Sequence, residues 1–142
     1  MDDKTCAAPV RGQVGAHVAR LVREHGLVPW LAVVRVGKDP ASAVCARNKG
    51  VQTARSGMNS HEHKQPAGRC EQGLPAVVAT LNADPAGHCI LTQLPQPGHL
   101  IAQLIINAMD PAQDVDGFHT ANVRLLGTGR SRWCHALRWA AG

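Results

Sequence analysis

Three short polar clusters in this sequence could support acid–base chemistry or ligand binding. They cover Asp39 to Lys49, Gln93 to Pro97 and Asp114 to Phe118, and the first two follow apolar, β-branched runs. If those runs are strands of a parallel sheet, their carboxyl ends share one edge, which is where such sheets bind ligands. Lys49 could exchange protons with a substrate or with water there. The alternative is that Lys49 is an ordinary solvated charge on a helix surface.

The elements that would position these clusters alternate between strand and helix. The predicted strands cover about residues 31–37, 58–64 and 88–94. The predicted helices cover about residues 9–26, 41–56, 71–81 and 100–109. Ser42 is expected to cap the second helix, and Gly73 and Pro75 are expected to delay the start of the third. This order implies βαβ crossovers, so the predicted fold is α/β, a three-layer α/β/α domain with a mostly parallel sheet.

Cysteine and histidine usage bears on compartment and on metal binding. The five cysteines are scattered without a CxxC pair, a pattern typical of reduced thiols, so a cytoplasmic location is expected. His61, Glu62 and His63 could offer two metal ligands, but no third ligand stands at a familiar spacing. We therefore interpret them as exposed strand residues and predict no metal site.

Charge and hydropathy limit the partner classes. The formal net charge is +5 with a pI near 9.3, which permits a polyanion or a phosphate-bearing or polyglutamylated small molecule. The basic residues are dispersed, and one Phe with no Tyr leaves few rings for base stacking. We therefore expect no nucleic-acid partner. No run of about 18 apolar residues exists, so no membrane span is expected, and the N-terminus does not resemble a secretory signal.

Five segments follow one another along the chain and read LAVVRVGKDPAS, RNKG, LNADP, ILTQLPQP and DPAQDVDGFHTANV. In this order they resemble the tetrahydrofolate dehydrogenase/cyclohydrolase family. The resemblance implies a folate-binding catalytic domain over residues 1–129, which in the family is followed by an NADP-binding Rossmann domain that this chain is expected to lack. It also implies NADP-dependent oxidation of 5,10-methylenetetrahydrofolate to 5,10-methenyltetrahydrofolate, and hydrolysis of that product to 10-formyltetrahydrofolate. The family forms homodimers mainly through the second domain, so a dimer is doubtful for this chain.

The resemblance also assigns roles to individual residues. Lys49 matches the catalytic lysine, Gln93 the glutamine that supports it, and Asp116 the aspartate that holds the pterin ring. Pro95 and Pro97 match the paired prolines that shape the folate pocket. The folate is the substrate and NADP the implied cofactor, but no phosphate-cradling GxGxxG loop occurs in this sequence. We therefore expect no cofactor-binding residues in this chain.

Several positions depart from the family pattern. Cys45 stands where the family has a tyrosine, so a stacking ring and a hydroxyl are lost at a substrate-binding position. Trp30 replaces a glycine and is expected to crowd the strand entry. The tail from Arg130, RSRWCHALRWAAG, is unlike the family, and one codon choice read two bases later gives LPLVPCTPLGCG. We therefore hypothesise that residues 130–142 are an aberrant tail produced by a frameshift.

These departures leave three functional hypotheses. The first is a folate enzyme domain that is weak or inactive when separated from its second domain. The second is a catalytically dead folate-binding or interaction fragment, favoured by Cys45. The third is a basic nucleic-acid-binding module, favoured by the charge alone.

Overall fold

The computed structural model describes residues 3–37, 39–66, 70–93 and 99–129. The helices are α1 (Asp3–His25), α2 (Pro40–Arg55), α3 (Cys70–Ala83), α4 (His99–Ala108) and α5 (Thr120–Gly127). The strands are β1 (Trp30–Val36), β2 (Asn59–Gln65) and β3 (Cys89–Thr92). The predicted order of elements up to α4 is confirmed, and its bounds agree within about two residues except at the start of α1. The predicted tail, residues 130–142, and Leu94 of the third predicted strand lie outside the described residues.

The strands form one parallel sheet in the order β2-β1-β3. β1 is therefore the central strand, and its residues from Leu31 to Val36 are all buried. An isolated parallel bridge between Ile90 and Asp114 extends the sheet beyond β3. Every pairing in the described chain is parallel, as expected for a sheet built from βαβ crossovers.

Helices cover both faces of the sheet, and each face has its own apolar cluster. On one face, Ala32 and Val34 of β1 pack against residues of α3 and α4 such as Leu74 and Ile105. On the other face, Leu31, Val33 and Leu91 pack with Ala46 of α2, and α1 contributes to an apolar cavity of about 180 Å³ above Leu31. This arrangement confirms the predicted three-layer α/β/α fold, because alternate strand residues face opposite layers.

Three local expectations about helix starts were wrong. The cap of α2 is Asp39 rather than Ser42: the carboxylate Oδ2 of Asp39 accepts the Ser42 N–H at 2.7 Å. Pro40 then occupies the first helical turn, where its missing N–H costs nothing. Helix α1 begins at Asp3 and continues through Pro9. Helix α3 begins at Cys70 and contains both Gly73 and Pro75, so these residues do not delay its start.

Strand β2 carries the histidines that raised the metal hypothesis. His61 is exposed and His63 is half-buried, while Glu62 accepts a hydrogen bond at 2.9 Å from Nε of the buried Arg35 on β1. Within the described ranges, no group of three His, Cys, Asp or Glu side chains is arranged to hold a metal ion. Strand β2 therefore contributes Glu62 to a cross-strand ion pair with Arg35.

Trp30 opens β1 at the amino-terminal edge of the sheet. Its ring packs edge-on against His61 with centroids 5.2 Å apart, and a Cβ built on Gly87 would lie 3.3 Å from the indole. The indole is therefore accommodated at the strand entry beside a residue without a side chain.

No helix in the described part of the chain is long and apolar enough to cross a membrane.

Candidate functional site

Lys49 lies on α2 beside the carboxyl-terminal edge of the sheet. Helix α2 is fixed at its start by the Asp39 cap and against the sheet by the buried Ala46 and Thr53. The hydroxyl of Thr53 also donates to the backbone carbonyl of Lys49 at 2.9 Å. Lys49 itself is half-buried, and its Nζ donates to Oε1 of Gln93 at 3.1 Å.

Gln93 is held by the sheet rather than by a loop. It directly follows β3, and its backbone N–H donates to the carbonyl oxygen of Val34 on β1 at 2.9 Å. This bond continues the β1–β3 ladder by one residue beyond the assigned strand. The amide side chain of Gln93 therefore projects from a rigid position toward the ammonium group of Lys49.

Asp116 enters the same region from the turn that follows the Ile90–Asp114 bridge. The Ile90 N–H donates to the carbonyl of Gln113 at 2.7 Å, and the Val115 N–H donates to the carbonyl of Ile90 at 3.3 Å. Partial burial raises the pKa of the Asp116 carboxyl, the charge of Lys49 opposes this rise, and the charge of Asp114 adds to it. The ammonium of Lys49 is thus close enough to Asp116 to influence its protonation.

The structure brings together three of the six predicted site residues. Lys49, Gln93 and Asp116 converge through one hydrogen bond and one charge interaction. Cys45 lies one helical turn before Lys49 and is an exposed free thiol, so its position is compatible with a ligand near the lysine. Pro95 and Pro97 lie outside the described residues, and their expected role stays a prediction.

The sequence interpretation gave no individual role to Asp114 or Asn122. Asp114 is 3% exposed and Asn122 is 6% exposed, and Nδ2 of Asn122 donates to Oδ2 of Asp114 at 3.0 Å. Both residues lie in the polar segment that includes Asp116, where no hydrophobic period identifies a buried position. No spacing in the sequence marks Asp114 as buried, since residues two apart in an extended segment share a face and DVDG does not distinguish Asp114 from Asp116.

A second concave surface lies at the opposite edge of the sheet. Its volume is about 600 Å³, and its lining includes Trp30 and Asn59, the first residues of β1 and β2, together with His25, His61 and Asp84. Because parallel strands share one direction, this surface lies at their amino ends and Gln93 lies at their carboxyl ends. The two regions are therefore separate, and the amino-terminal cleft provides a location for control substitutions.

The arrangement at the carboxyl edge combines three complementary functional groups. The ammonium of Lys49 can stabilise or exchange a proton, the amide of Gln93 can orient that ammonium, and the carboxylate of Asp116 can accept hydrogen bonds. A carboxylate can accept two parallel N–H bonds from one planar group. The site is thus suited to a planar heterocycle with N–H donors whose reactive atom lies near Lys49.

Comparisons with known proteins identify the relatives of this chain. Residues 1–116 match the family model for the tetrahydrofolate dehydrogenase/cyclohydrolase catalytic domain. The chain is 58% identical over 130 residues to a bifunctional protein FolD of Ruegeria pomeroyi, covering 92% of this chain and 44% of that protein. The chain therefore spans less than half the length of this curated relative.

Solved structures give the same match. The bifunctional methylenetetrahydrofolate dehydrogenase/cyclohydrolase FolD of Campylobacter jejuni superposes with a TM-score of 0.85 at 32% identity, over 91% of this chain and 45% of that one. The Trypanosoma brucei enzyme, solved with NADP cofactor and an inhibitor, superposes with a TM-score of 0.84 at 28% identity, over 89% of this chain and 43% of that one. The chain belongs to the tetrahydrofolate dehydrogenase/cyclohydrolase family.

Proposed function

We propose that this chain binds a reduced folate at the carboxyl edge of its sheet and contributes the catalytic groups of a methenyltetrahydrofolate cyclohydrolase. The observation that carries this proposal is the hydrogen bond of 3.1 Å between Lys49 and Gln93, with Asp116 within the electrostatic range of the same lysine. Family membership supplies the substrate class. In the whole family protein the substrate of this hydrolysis would arise by oxidation of 5,10-methylenetetrahydrofolate.

The roles follow from the side-chain chemistry. The pterin ring carries N–H donors that the carboxylate of Asp116 can accept in pairs. This contact would fix the ring and leave the methenyl bridge near Lys49. Binding energy from the ring is then available to orient the bridge, which is where reaction occurs.

Hydrolysis requires proton movements that one amine can assist. Water adds to the methenyl carbon and loses one proton, which leaves a hydroxyl group on that carbon. The hydroxyl then loses its proton as the carbonyl forms, the bond from that carbon to N5 breaks, and N5 gains a proton. The product is the N10-formyl compound, and one proton is released overall. We assign the relay of these protons to Lys49, and its hydrogen bond to Gln93 helps to orient the ammonium.

Neither the sequence motifs nor the described helices of this chain offer a cradle for the phosphates of a nicotinamide cofactor. The sequence contains no GxGxxG segment, and none of the described helices of this chain begins with a glycine-rich phosphate cradle. We therefore derive no hydride-transfer step from these residues. NADP-dependent oxidation remains a proposal for the whole family protein, of which this chain matches less than half.

Calorimetric titration with tetrahydrofolate tests the proposal. We expect saturable binding by the native chain and at least a tenfold loss of affinity in Asp116→Ala, since a charge-assisted hydrogen bond contributes about 1.5–3 kcal/mol. The matched control is Asp84→Ala, because Asp84 lines the cleft at the opposite edge. Equal affinities in both variants would contradict the assignment of Asp116.

Hydrolysis distinguishes the enzyme from a fragment that only binds folate. Loss of the 5,10-methenyltetrahydrofolate absorbance should be faster with the chain than in buffer, and Lys49→Met should abolish the difference. The exposed Cys45 at the position of the family tyrosine favours the second candidate function, a folate-binding chain without turnover. Saturable binding with the buffer rate of hydrolysis would select that second function.

A further inference from the structure

Asp114 is a buried carboxylate to which the proposed reaction assigns no role. It is 3% exposed, and both of its oxygens accept hydrogen bonds. Oδ1 accepts the Gly117 N–H at 3.2 Å, and Oδ2 accepts the His119 N–H at 2.8 Å and Nδ2 of Asn122 at 3.0 Å. A buried charge requires such compensation, because an unpaired carboxylate in the interior is strongly unfavourable.

These hydrogen bonds enclose the turn that presents Asp116. Asn122 also donates from Nδ2 to the carbonyl of Pro111 at 2.8 Å, so α5 is joined to Pro111 and Asp114 of the segment that precedes it. Val115 packs against the apolar cluster beneath α2. Asp116 is therefore flanked by an apolar anchor on one side and by the Asp114 hydrogen bonds to Gly117 and His119 on the other.

The backbone of this turn depends on the same carboxylate. Gly117 has a φ of +70°, a left-handed conformation that glycine adopts without steric cost. Its N–H points back to Asp114, which closes a loop of four residues with Asp116 inside it. An asparagine at position 114 would offer one acceptor oxygen and would turn an NH2 group toward backbone N–H or side-chain donors.

We propose that Asp114 is the positioning residue of the site, holding Asp116 in its binding orientation through Gly117, His119 and Asn122 and acting on it with its negative charge. This inference rests on the proposed function, since it explains how the pterin-binding carboxylate is held. It assigns Asp114 no contact with substrate. The ligand class of the site is unchanged.

The charge of Asp114 has an effect on the titration of Asp116 that a purely structural role would lack. The negative charge of Asp114 contributes to the raised pKa of Asp116. Removing that charge should lower the pKa of Asp116, and the pH range in which the carboxylate binds folate should extend downward. A residue that only stabilised the turn would change the melting temperature without moving this titration.

The test compares three folded variants of the full chain by ¹³C NMR of the side-chain carboxyls and by tetrahydrofolate titration. In Asp114→Asn, the Asp116 titration midpoint should fall and the affinity should drop about tenfold, as for one lost charge-assisted hydrogen bond. Asn122→Ala keeps the charge of Asp114 and should fold, because alanine is a better helix former than asparagine. It removes the hydrogen bond from Asn122 to Asp114, so affinity should fall severalfold with a smaller change in the Asp116 titration midpoint. Asp110→Asn is the control, since Asp110 is exposed and its carboxylate accepts only the local Ala112 N–H, at 2.8 Å, among the side-chain contacts described.

Each outcome bears on one claim. An Asp114→Asn chain that folds and keeps both the native midpoint and the native affinity would overturn the proposal. If Asp114→Asn does not fold, native affinity in Asn122→Ala would overturn it instead. If the native chain binds no tetrahydrofolate, the proposed function fails, whereas the Asp116 midpoints without ligand still decide whether Asp114 acts on Asp116.

Discussion

Replacing Gln93 by leucine should reduce the rate of methenyltetrahydrofolate hydrolysis by roughly five- to thirtyfold. The substitution removes the Oε1 acceptor that lies 3.1 Å from Nζ of Lys49. A hydrogen bond to a charged group contributes about 1.5–3 kcal/mol, and partial exposure of both residues places this one nearer 1–2 kcal/mol. Each 1.36 kcal/mol in the barrier corresponds to a factor of ten in rate. The stability change should be small, because water can solvate the released ammonium of the half-buried Lys49.

The assay is the single-turnover decay of 5,10-methenyltetrahydrofolate absorbance after subtraction of the buffer rate. The control is Gln103→Leu, which removes a similar side-chain hydrogen bond, from Gln103 Nε2 to Asn107 Oδ1 at 3.2 Å, on the exposed face of α4. We expect the native rate in the control and the reduced rate in Gln93→Leu at equal melting temperatures. A folded Gln93→Leu chain with the native rate would refute the orienting role of Gln93.

Three further substitutions test the site and its support. Asp116→Asn should raise the melting temperature at neutral pH while weakening folate binding. Partial burial raises the pKa of Asp116 in the folded chain, so the charged carboxylate destabilises the fold, and this destabilisation increases as pH rises through that pKa. Unfolding measured from pH 4 to pH 8 checks this, and a lower melting temperature at every pH would contradict it. Cys45→Tyr should tighten tetrahydrofolate binding about two- to tenfold, as one added aromatic contact of 0.5–1.5 kcal/mol implies, and calorimetry showing weaker or equal affinity would count against a ligand beside this turn of α2. Glu62→Gln should cost about 1–2 kcal/mol in urea unfolding, since Arg35 has a side chain only 9% exposed and would lose its ionic partner. Burial acts to raise the pKa of Glu62, but the hydrogen bonds and charges of Arg35 and Lys64 together outweigh it and hold that pKa below its usual value. The contribution of Glu62 is therefore complete above the unfolded pKa and should disappear as pH falls through the folded one, and a variant with unchanged stability at pH 7 would contradict this account.

Hydrophobic periodicity predicted the elements that bury a face. The continuous apolar run of β1 and the spaced apolar residues of α3 and α4 match the two sheet faces observed. Capping was harder to predict, because Asp39 and Ser42 are both good cap residues and the choice depends on where Pro40 fits. The start of α1 was missed because proline usually marks a helix boundary, whereas α1 continues through Pro9.

Helix α5 and the bridge beside β3 were not predicted for a different reason. The bridge consists of a single residue pair, Ile90 and Asp114, and α5 has a largely exposed surface in the described chain, with Val123 and Leu126 open to solvent. The bridge is too short to show a periodic apolar pattern, and α5 spans only eight residues. Their positions are fixed by polar contacts of Asp114 and Asn122 that only three-dimensional coordinates reveal.

The convergence of Lys49, Gln93 and Asp116 was predicted from sequence in two steps. The topology of parallel strands placed their segments at one edge, and the family resemblance selected these three side chains among several polar candidates. Distances and charges could not be predicted, since they depend on the rotamers of α2 and of the Asp114 turn. The catalytic roles of the three residues stay predictions until they are tested in solution.

The central claim, a reduced-folate site at the carboxyl edge of the sheet, is tested most directly by chemical-shift mapping of the isotope-labelled chain during titration with tetrahydrofolate. We predict saturable shifts concentrated at the Lys49 ammonium, the Gln93 amide and the Asp116 carboxyl. Residues of the amino-terminal cleft, such as His25 and Asn59, should remain unchanged. Shifts confined to that cleft, or no saturable shifts at millimolar ligand, would contradict the account.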